Sequence, residues 1–338
     1  MALDLTKIEA HKVKAGVQGK MFFIYGGPKT GKTTVACSFP KPLLLAFEAG
    51  YNLIDGIKAV NVTSWIDMKN YAKQLKKPEV RELYDTIIID TVGLMWGQAE
   101  KFIKTQKDIE DLTDLGFGKG YRAVRDEFQD LINSLGQMGY TLVFISHSEK
   151  KDYTDSMGVN HSGITPALDK RPKEIISGLV DVFMFVCQES DNNGGNKPVA
   201  FLRGGVYGDT EIEAGSRYKD GLPAKIDFNY EELVKAVQSA DEALLSSGVK
   251  ISTENQTILE ATKAEQVKKP KRSFAEVYKE TSTVINQLKE RIANGEEELI
   301  EQMTTIIDNY LGVGKKITEA TPAQQELVEA ALADLKEL

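Results

Sequence analysis

The 338 residues predict an α/β fold: a mostly parallel central sheet, antiparallel strands at its edge, and a helical region at the C-terminal end. Three observations predict it. Short apolar runs recur over the first two-thirds of the chain and are continuous rather than alternating in polarity. Stretches with helical periodicity separate them. Beyond about residue 245 the chain turns polar, then acidic and helical.

MFFIY (21–25), PLLLAF (42–47), TIIID (86–90), TLVFIS (141–146) and VDVFMFV (180–186) read as strands buried on both faces, as in a parallel sheet covered by helices. Between the third and fourth runs, residues 122–135 set Val124, Phe128, Leu131, Ile132 and Leu135 on one helical face. Such alternation describes βαβ units. DNNGG (191–195) is a turn cluster. PVAFLRG and a stretch ending at IDF (226–228) read as antiparallel additions at the sheet edge, and residues 231–244 as a helix. Residues 245–272 are rich in Ser, Thr, Gln and Lys and read as a linker. Residues 273–338 read as two or three amphipathic helices. A break falls at GVGKK (312–316), and a helix starts at TPAQQE (321–326), capped by Thr321 with Pro322 in first position. The expected division is an N-terminal segment (1–17), a core (18–244), the linker (245–272) and an acidic helical region (273–338).

An apolar fraction of 41% suffices for a sizeable core, and the formal net charge is −8. From Lys271 onward there are 8 basic and 13 acidic residues, so the remainder is close to neutral. A chain coated in basic surface is excluded; a local basic site is not. The two cysteines, Cys37 and Cys187, cannot build a disulfide framework and are expected to be small buried hydrophobes in a reducing cytoplasm. No apolar run approaches the roughly 20 residues that span a bilayer. The opening MALDLTKIEAHKVKAG is polar and carries two acids, unlike a signal peptide. The expected location is cytoplasmic, without a membrane partner.

GGPKTGKT (26–33) fits G-x-x-x-x-G-K-[ST], follows an apolar run and precedes a helix-competent stretch. Gly26, Gly27, Pro28, Lys29, Thr30 and Gly31 would wrap a triphosphate with backbone N–H groups. Lys32 would reach the β- and γ-phosphates, Thr33 would ligate Mg²⁺, and Thr34 would touch the α-phosphate. The expected ligands are ATP and Mg²⁺. Asp90 ends the third apolar run, where ligand-contacting residues sit in open α/β sheets, and would hold the metal through water. Glu48 follows the second run and could polarise the attacking water. Ser146 and His147 end the fourth, where a side chain can sense the γ-phosphate.

The order P-loop, LLLAFEAGYNLIDGI, IIIDTVGLM and LVFISH resembles the RecA-type recombinase core over roughly residues 18–230. Within that type it looks like the core-only bacteriophage ATPases that act in single-strand annealing or recombination. The resemblance implies a RecA-like ATPase core in which Glu48 is the catalytic glutamate and Asp90 the Walker-B aspartate, with His147 in place of the usual glutamine sensor. It also implies basic residues supplied by a neighbouring subunit. Arg217 and Lys219 of SRYKDGLP (216–223) occupy that place, so a homo-oligomer, ring or filament, is expected.

In the resembled family two loops hold single-stranded DNA. The matching segments here are Thr105–Tyr121 and Ser148–Pro172. The first ends with Lys119, Tyr121, Arg122 and Arg125 near Phe117. The second carries Lys150, Lys151, Tyr153, His161, Lys170 and Arg171, with Glu149, Asp152 and Asp155 among them. Basic and aromatic residues so interleaved suit a backbone-tracking, base-stacking site. The acidic C-terminal region is a departure that the resembled core-only proteins do not need; it could compete with DNA for the basic loops or recruit a partner such as a single-strand-binding protein. The expected function is ATP-dependent single-strand binding or annealing in phage recombination or replication, in the host cytoplasm. The competing readings are a hexameric helicase or loader motor, a small-molecule P-loop kinase, and a nucleotide-binding scaffold with little turnover.

Overall fold

The computed structural model describes residues 13–154, 158, 160–191, 194–207, 210–249, 251–252, 272–311, 314–336 and 338. They fall into two compact units, divided between residues 252 and 272. The first half of the larger unit contains β1 (Val13–Lys14), β2 (Met21–Gly26), α1 (Lys32–Ala36), β3 (Pro42–Ala46), β4 (Lys58–Asn61), α2 (Trp65–Leu75), α3 (Pro78–Arg81), β5 (Thr86–Asp90), α4 (Val92–Lys107) and α5 (Lys119–Gln137). There follow β6 (Thr141–Thr154), β7 (Asn160–Pro166), α6 (Lys170–Ser177), β8 (Val182–Ser190), β9 (Asn196–Phe201), β10 (Gly205–Tyr207), β11 (Thr210–Ile212), β12 (Gly215–Ser216), β13 (Lys225–Asp227), α7 (Tyr230–Ser246) and β14 (Ile251–Ser252).

Parallel strands lie in the order β4–β3–β5–β6–β2–β8. Successive side chains of a strand point to opposite faces, and here both faces are packed. Phe23, Tyr25, Leu45 and Ile89 join Trp65, Met95 and Phe128 from α2, α4 and α5. Phe22, Ile24, Leu44 and Ile88 join Val35 of α1 and Leu233 and Val237 of α7 on the other face. Burying each such side chain contributes about 2 kcal/mol, which is why the runs are continuous in apolarity. All five predicted runs are in this sheet. The α5 prediction also holds: its five apolar positions are buried.

Strand β4 was not predicted. It is a four-residue edge strand whose residues are exposed or half-buried, so it carries no apolar run. At the other edge β9 pairs antiparallel with β8, and β13 with β9, as expected. The short β12 also pairs with β8.

The segment 148–172, expected to be a loop, is largely a β-hairpin. Strand β6 pairs in parallel with β2 as far as Gly26↔His147, then continues unbroken to pair antiparallel with β7 from Ser148↔Pro166 to Thr154↔Asn160. Beyond β7 the ribbon adds β11 and β10. Exposed Lys150, Lys151 and Asp152 hide the strand from a search for apolar runs. The segment 105–121 is likewise mostly ordered. α4 runs to Lys107, a 3-10 turn spans Leu112–Leu115, and α5 begins at Lys119.

Val13–Lys14 pairs in parallel with Ile251–Ser252, which lie within the stretch read as a linker; residues 253–271 of that stretch lie outside the described residues. The smaller unit holds α8 (Phe274–Ala293), α9 (Leu299–Leu311) and α10 (Gln325–Leu335). Ser273 and Glu276 cap α8 reciprocally. Val277, Ile317, Val328 and Leu332 form one small core, and Leu288, Leu299 and Leu335 another. The start at Thr321 and Pro322 is a 3-10 turn that leads into α10. Cys37 and Cys187 are free and half-buried, and burial pushes the Cys37 thiol up to about 11. Among the described residues no helix is long and apolar enough to cross a membrane.

Candidate functional site

Where β2 ends, the chain must turn into α1 beside two neighbouring strands. Gly26 permits this because a Cβ there would lie 2.1 Å from the Val186 carbonyl oxygen of β8. Lys29 (φ 61°) and Gly31 (φ 86°) bend the loop through the left-handed region, and Gly31 precedes the first residue of α1. The buried Thr30 hydroxyl closes the turn on the Gly27 carbonyl at 2.9 Å. Pro28, Lys29 and Thr34 are exposed along its outside.

Lys32 is buried, and its ammonium donates to the carbonyls of Gly26 (3.0 Å) and Gly27 (2.7 Å). Burial lowers its pKa, while Asp90 and Glu48 pull in the opposite direction. The Thr33 hydroxyl donates to Asp90 Oδ2 at 2.7 Å. Asp90, only 4% exposed, has its carboxyl pushed above the usual range by burial, against the hydrogen bond from Thr33. The following Asp90–Thr91 peptide is cis.

Sheet register assembles the rest. Ala46 of β3 pairs with Asp90 of β5, Asp90 with Ile145 of β6, and His147 of β6 with Gly26 of β2. Glu48, Asp90, His147 and the loop therefore share the C-terminal edge of the sheet. His147 Nε2 stands 3.3 Å from Glu48 Oε2, with both side chains partly open to solvent. Two residues 99 positions apart are thus within hydrogen-bond distance of each other beside the phosphate loop.

Arg217 and Lys219 are not brought to this loop in their own chain. The Arg217 N–H donates to the Asp181 carbonyl and its guanidinium to the Gly178 carbonyl at 2.5 Å. Both carbonyls precede β8, whose Val186 marks the phosphate-loop end. Lys219 is exposed.

The residues read as DNA-binding divide into two groups. Lys119, Tyr121 and Arg122 form the first turn of α5, and Lys170 and Arg171 that of α6. The Arg171 guanidinium lies 4.4 Å from the Tyr121 ring centroid, so these two segments meet. Lys150 and Lys151 stand exposed on the β6–β7 hairpin; Tyr153 pairs with His161 there, its side chain outside the described residues. Phe117 is fully exposed with φ 47°, between Gly116 (φ 63°) and Gly118 (φ 70°). Three successive left-handed residues present that ring to solvent just before α5. Gln129 and Asn133, which line a groove between α5 and α6, did not feature in the sequence reading. Their four-residue spacing from Tyr121 and Arg125 is the signal that marks them.

The buried lysine, the hydroxyl–carboxylate pair and the glycine turn, all at the end of a parallel α/β sheet, define a P-loop nucleoside triphosphatase. Residues 18–244 match the AAA domain family, and the chain belongs to it. It is also similar to the protein described as "SPbeta prophage-derived uncharacterized protein YorG" of Bacillus subtilis (strain 168), at 28% identity over 344 residues that cover 100% of this chain and 99% of the relative. Nucleotide binding and hydrolysis, typically with magnesium, go with the family.

Proposed function

We propose that the chain is a RecA-like ATPase that binds and anneals single-stranded DNA as a homo-oligomer, in phage recombination or replication. The observation that carries this reading is the Glu48–His147 couple at the root of β6. The strand that brings His147 to the phosphate loop continues directly into the hairpin that bears Lys150 and Lys151. The prophage description of the Bacillus subtilis relative supports the phage setting.

The donor set fits magnesium: Thr33 and Asp90 offer oxygen ligands 2.7 Å apart, and such oxygens suit a hard cation. When bound, the ion supplies charge neutralisation of the phosphate oxygens. Lys32 exchanges its two carbonyl partners for β- and γ-phosphate oxygens. Glu48 accepts the proton of the attacking water. His147 shares an oxygen of Glu48, so a γ-phosphate that displaces this contact is felt along β6. Arg217 and Lys219 serve the site of a neighbouring subunit, which accounts for their distance from their own loop. The exposed Phe117 ring, with Lys119 and Arg122, offers a stacking and phosphate-contacting surface for the strand. The acidic helical unit is a docking element for a single-strand-binding protein.

The test is ATPase rate with and without single-stranded DNA, together with sizing with and without nucleotide. DNA stimulation and nucleotide-dependent assembly are expected. A monomer whose turnover ignores DNA would sink the reading. Opening of a forked duplex would replace it with a helicase-type motor, a reading the AAA domain membership also accommodates.

A further inference from the structure

The flank of α5 beside its buried residues has its own order. Tyr121, Arg125, Gln129 and Asn133 recur every four residues, so they form one ridge along the helix, about 18 Å long at 1.5 Å per residue. The ridge faces α6 across a groove of about 240 Å³ that Arg171, Glu174 and Gly178 line from the other side. At its upper end the Arg171 guanidinium covers the Tyr121 ring. At its lower end the Gly178 carbonyl is already capped by Arg217.

The groove is unusual in what it leaves unpaired. The side chains of Arg125, Gln129 and Asn133 make no hydrogen bond or ion pair with any described residue. All three present N–H donors. The one carboxylate on the lining, Glu174, has Lys170 at 3.8 Å as its partner. Two guanidiniums and two amides along one cleft, with the neighbouring acid balanced, match a chain of anionic oxygens at regular spacing. They do not match a single small anion, because the donors are spread along the helix rather than converging on one point.

We propose that the α5–α6 groove holds the phosphodiester backbone of single-stranded DNA, with Arg125 and Arg171 contacting phosphates and Gln129 and Asn133 contacting phosphate or sugar oxygens. This rests on the single-strand-binding reading above and extends it past the first turn of α5, down the length of the helix. Phe117 and the Tyr121–Arg171 stack lie at the entrance, and the strand then follows the ridge.

The experiment is fluorescence anisotropy of a labelled oligo(dT) across a series of NaCl concentrations, with the full chain, Mg²⁺ and a non-hydrolysable ATP analogue. The variants are Arg125→Ala, Arg125→Lys and the double variant Gln129→Ala/Asn133→Ala. Arg125→Ala is expected to weaken binding about 10-fold and to lower the slope of log Kd against log salt by about 0.7, the value of one lost phosphate contact on a single strand. Arg125→Lys keeps the charge and is expected to restore the slope. The amide double variant is expected to weaken binding without changing the slope, because it removes no charge. If the wild-type chain binds oligo(dT) and all three variants match it in affinity and slope, the groove proposal is overturned and the wider reading stands. If the wild-type chain binds no oligo(dT), both fall.

Discussion

At Gly26 motif and packing make separate demands on one residue. The phosphate-loop pattern asks for glycine there, but what excludes a side chain is the Val186 carbonyl of the adjacent strand. Gly31 is different: a Cβ there would meet nothing within 4 Å, and its φ of 86° is what favours glycine. Gly26→Ala is therefore expected to cost about 3 kcal/mol through overpacking of two central strands. Gly31→Ala should cost about 1 kcal/mol through backbone strain alone. Urea denaturation of the two variants checks the order, and equal losses would refute it. Glu48→Gln removes the proposed proton acceptor but leaves the loop, Lys32 and Asp90 in place. Its kcat is expected to fall by about 10²–10⁴ with nucleotide affinity within a few-fold, measurable by steady-state turnover beside calorimetric titration. A variant that keeps its turnover would show that Glu48 is not the base. The sequence placed Glu48, Asp90 and His147 at strand ends. The 3.3 Å contact of Glu48 with His147 was not legible, because it depends on sheet order, which residue spacing does not encode.

Among the elements, the strands that are apolar on both faces were readable, and those that carry polar residues were not. β4 is short and half-exposed, and the outer part of β6 carries Lys150, Lys151 and Asp152 in the open. In both, pairing is held by backbone hydrogen bonds rather than by burial, so periodicity is silent. The turn from β1 into β2 carries a second polar feature that sequence alone conceals. Lys20 is buried, donates to the carbonyls of Lys14 and Gly16, and lies 3.6 Å from Asp241. Asp241 also accepts from the Gly16 N–H (2.6 Å) and the Tyr218 hydroxyl (2.9 Å). Burial lowers the Lys20 pKa despite Asp241. Between that lowered value and the ordinary 10.5, the unfolded chain holds more protons than the folded one, so this group makes stability rise with pH there. Denaturation midpoints compared between wild type and Lys20→Met are expected to show that rise in the wild type only. At neutral pH, Lys20→Met is expected to lose about 3 kcal/mol, because Asp241 keeps its burial and loses its cation.

On the scale of the whole molecule, the proposed function divides the reaction between the two ends of the parallel sheet. The phosphate loop lies beside Val186, midway along β8, and Arg217 beside Asp181, just before the strand begins. A shared site predicts complementation. Lys32→Ala chains and Arg217→Ala chains are each expected to be inactive alone. Mixed, they should recover part of the ATPase activity, because intact loops then meet intact arginines. Turnover measured across mixing ratios checks this; no recovery at any ratio would mean that each chain works by itself. Composition had indicated the acidic character of the C-terminal region, whose 13 acids and 8 bases fall largely on the smaller helical unit. Its separate cores were not legible, since each is built from only a few residues on three helices.

The unbroken course of β6 also limits how this protein can vary. Side chains alternate along a strand, so His147, Glu149 and Lys151 lie on one face and Ser148 and Lys150 on the other. One inserted residue between Ile145 and Lys150 would swap the two lysines across the ribbon while the core and the hairpin tip kept their own pairing. Two inserted residues would lengthen the ribbon and leave each lysine in phase with His147. Length changes in natural variants should therefore come in even steps before Lys150.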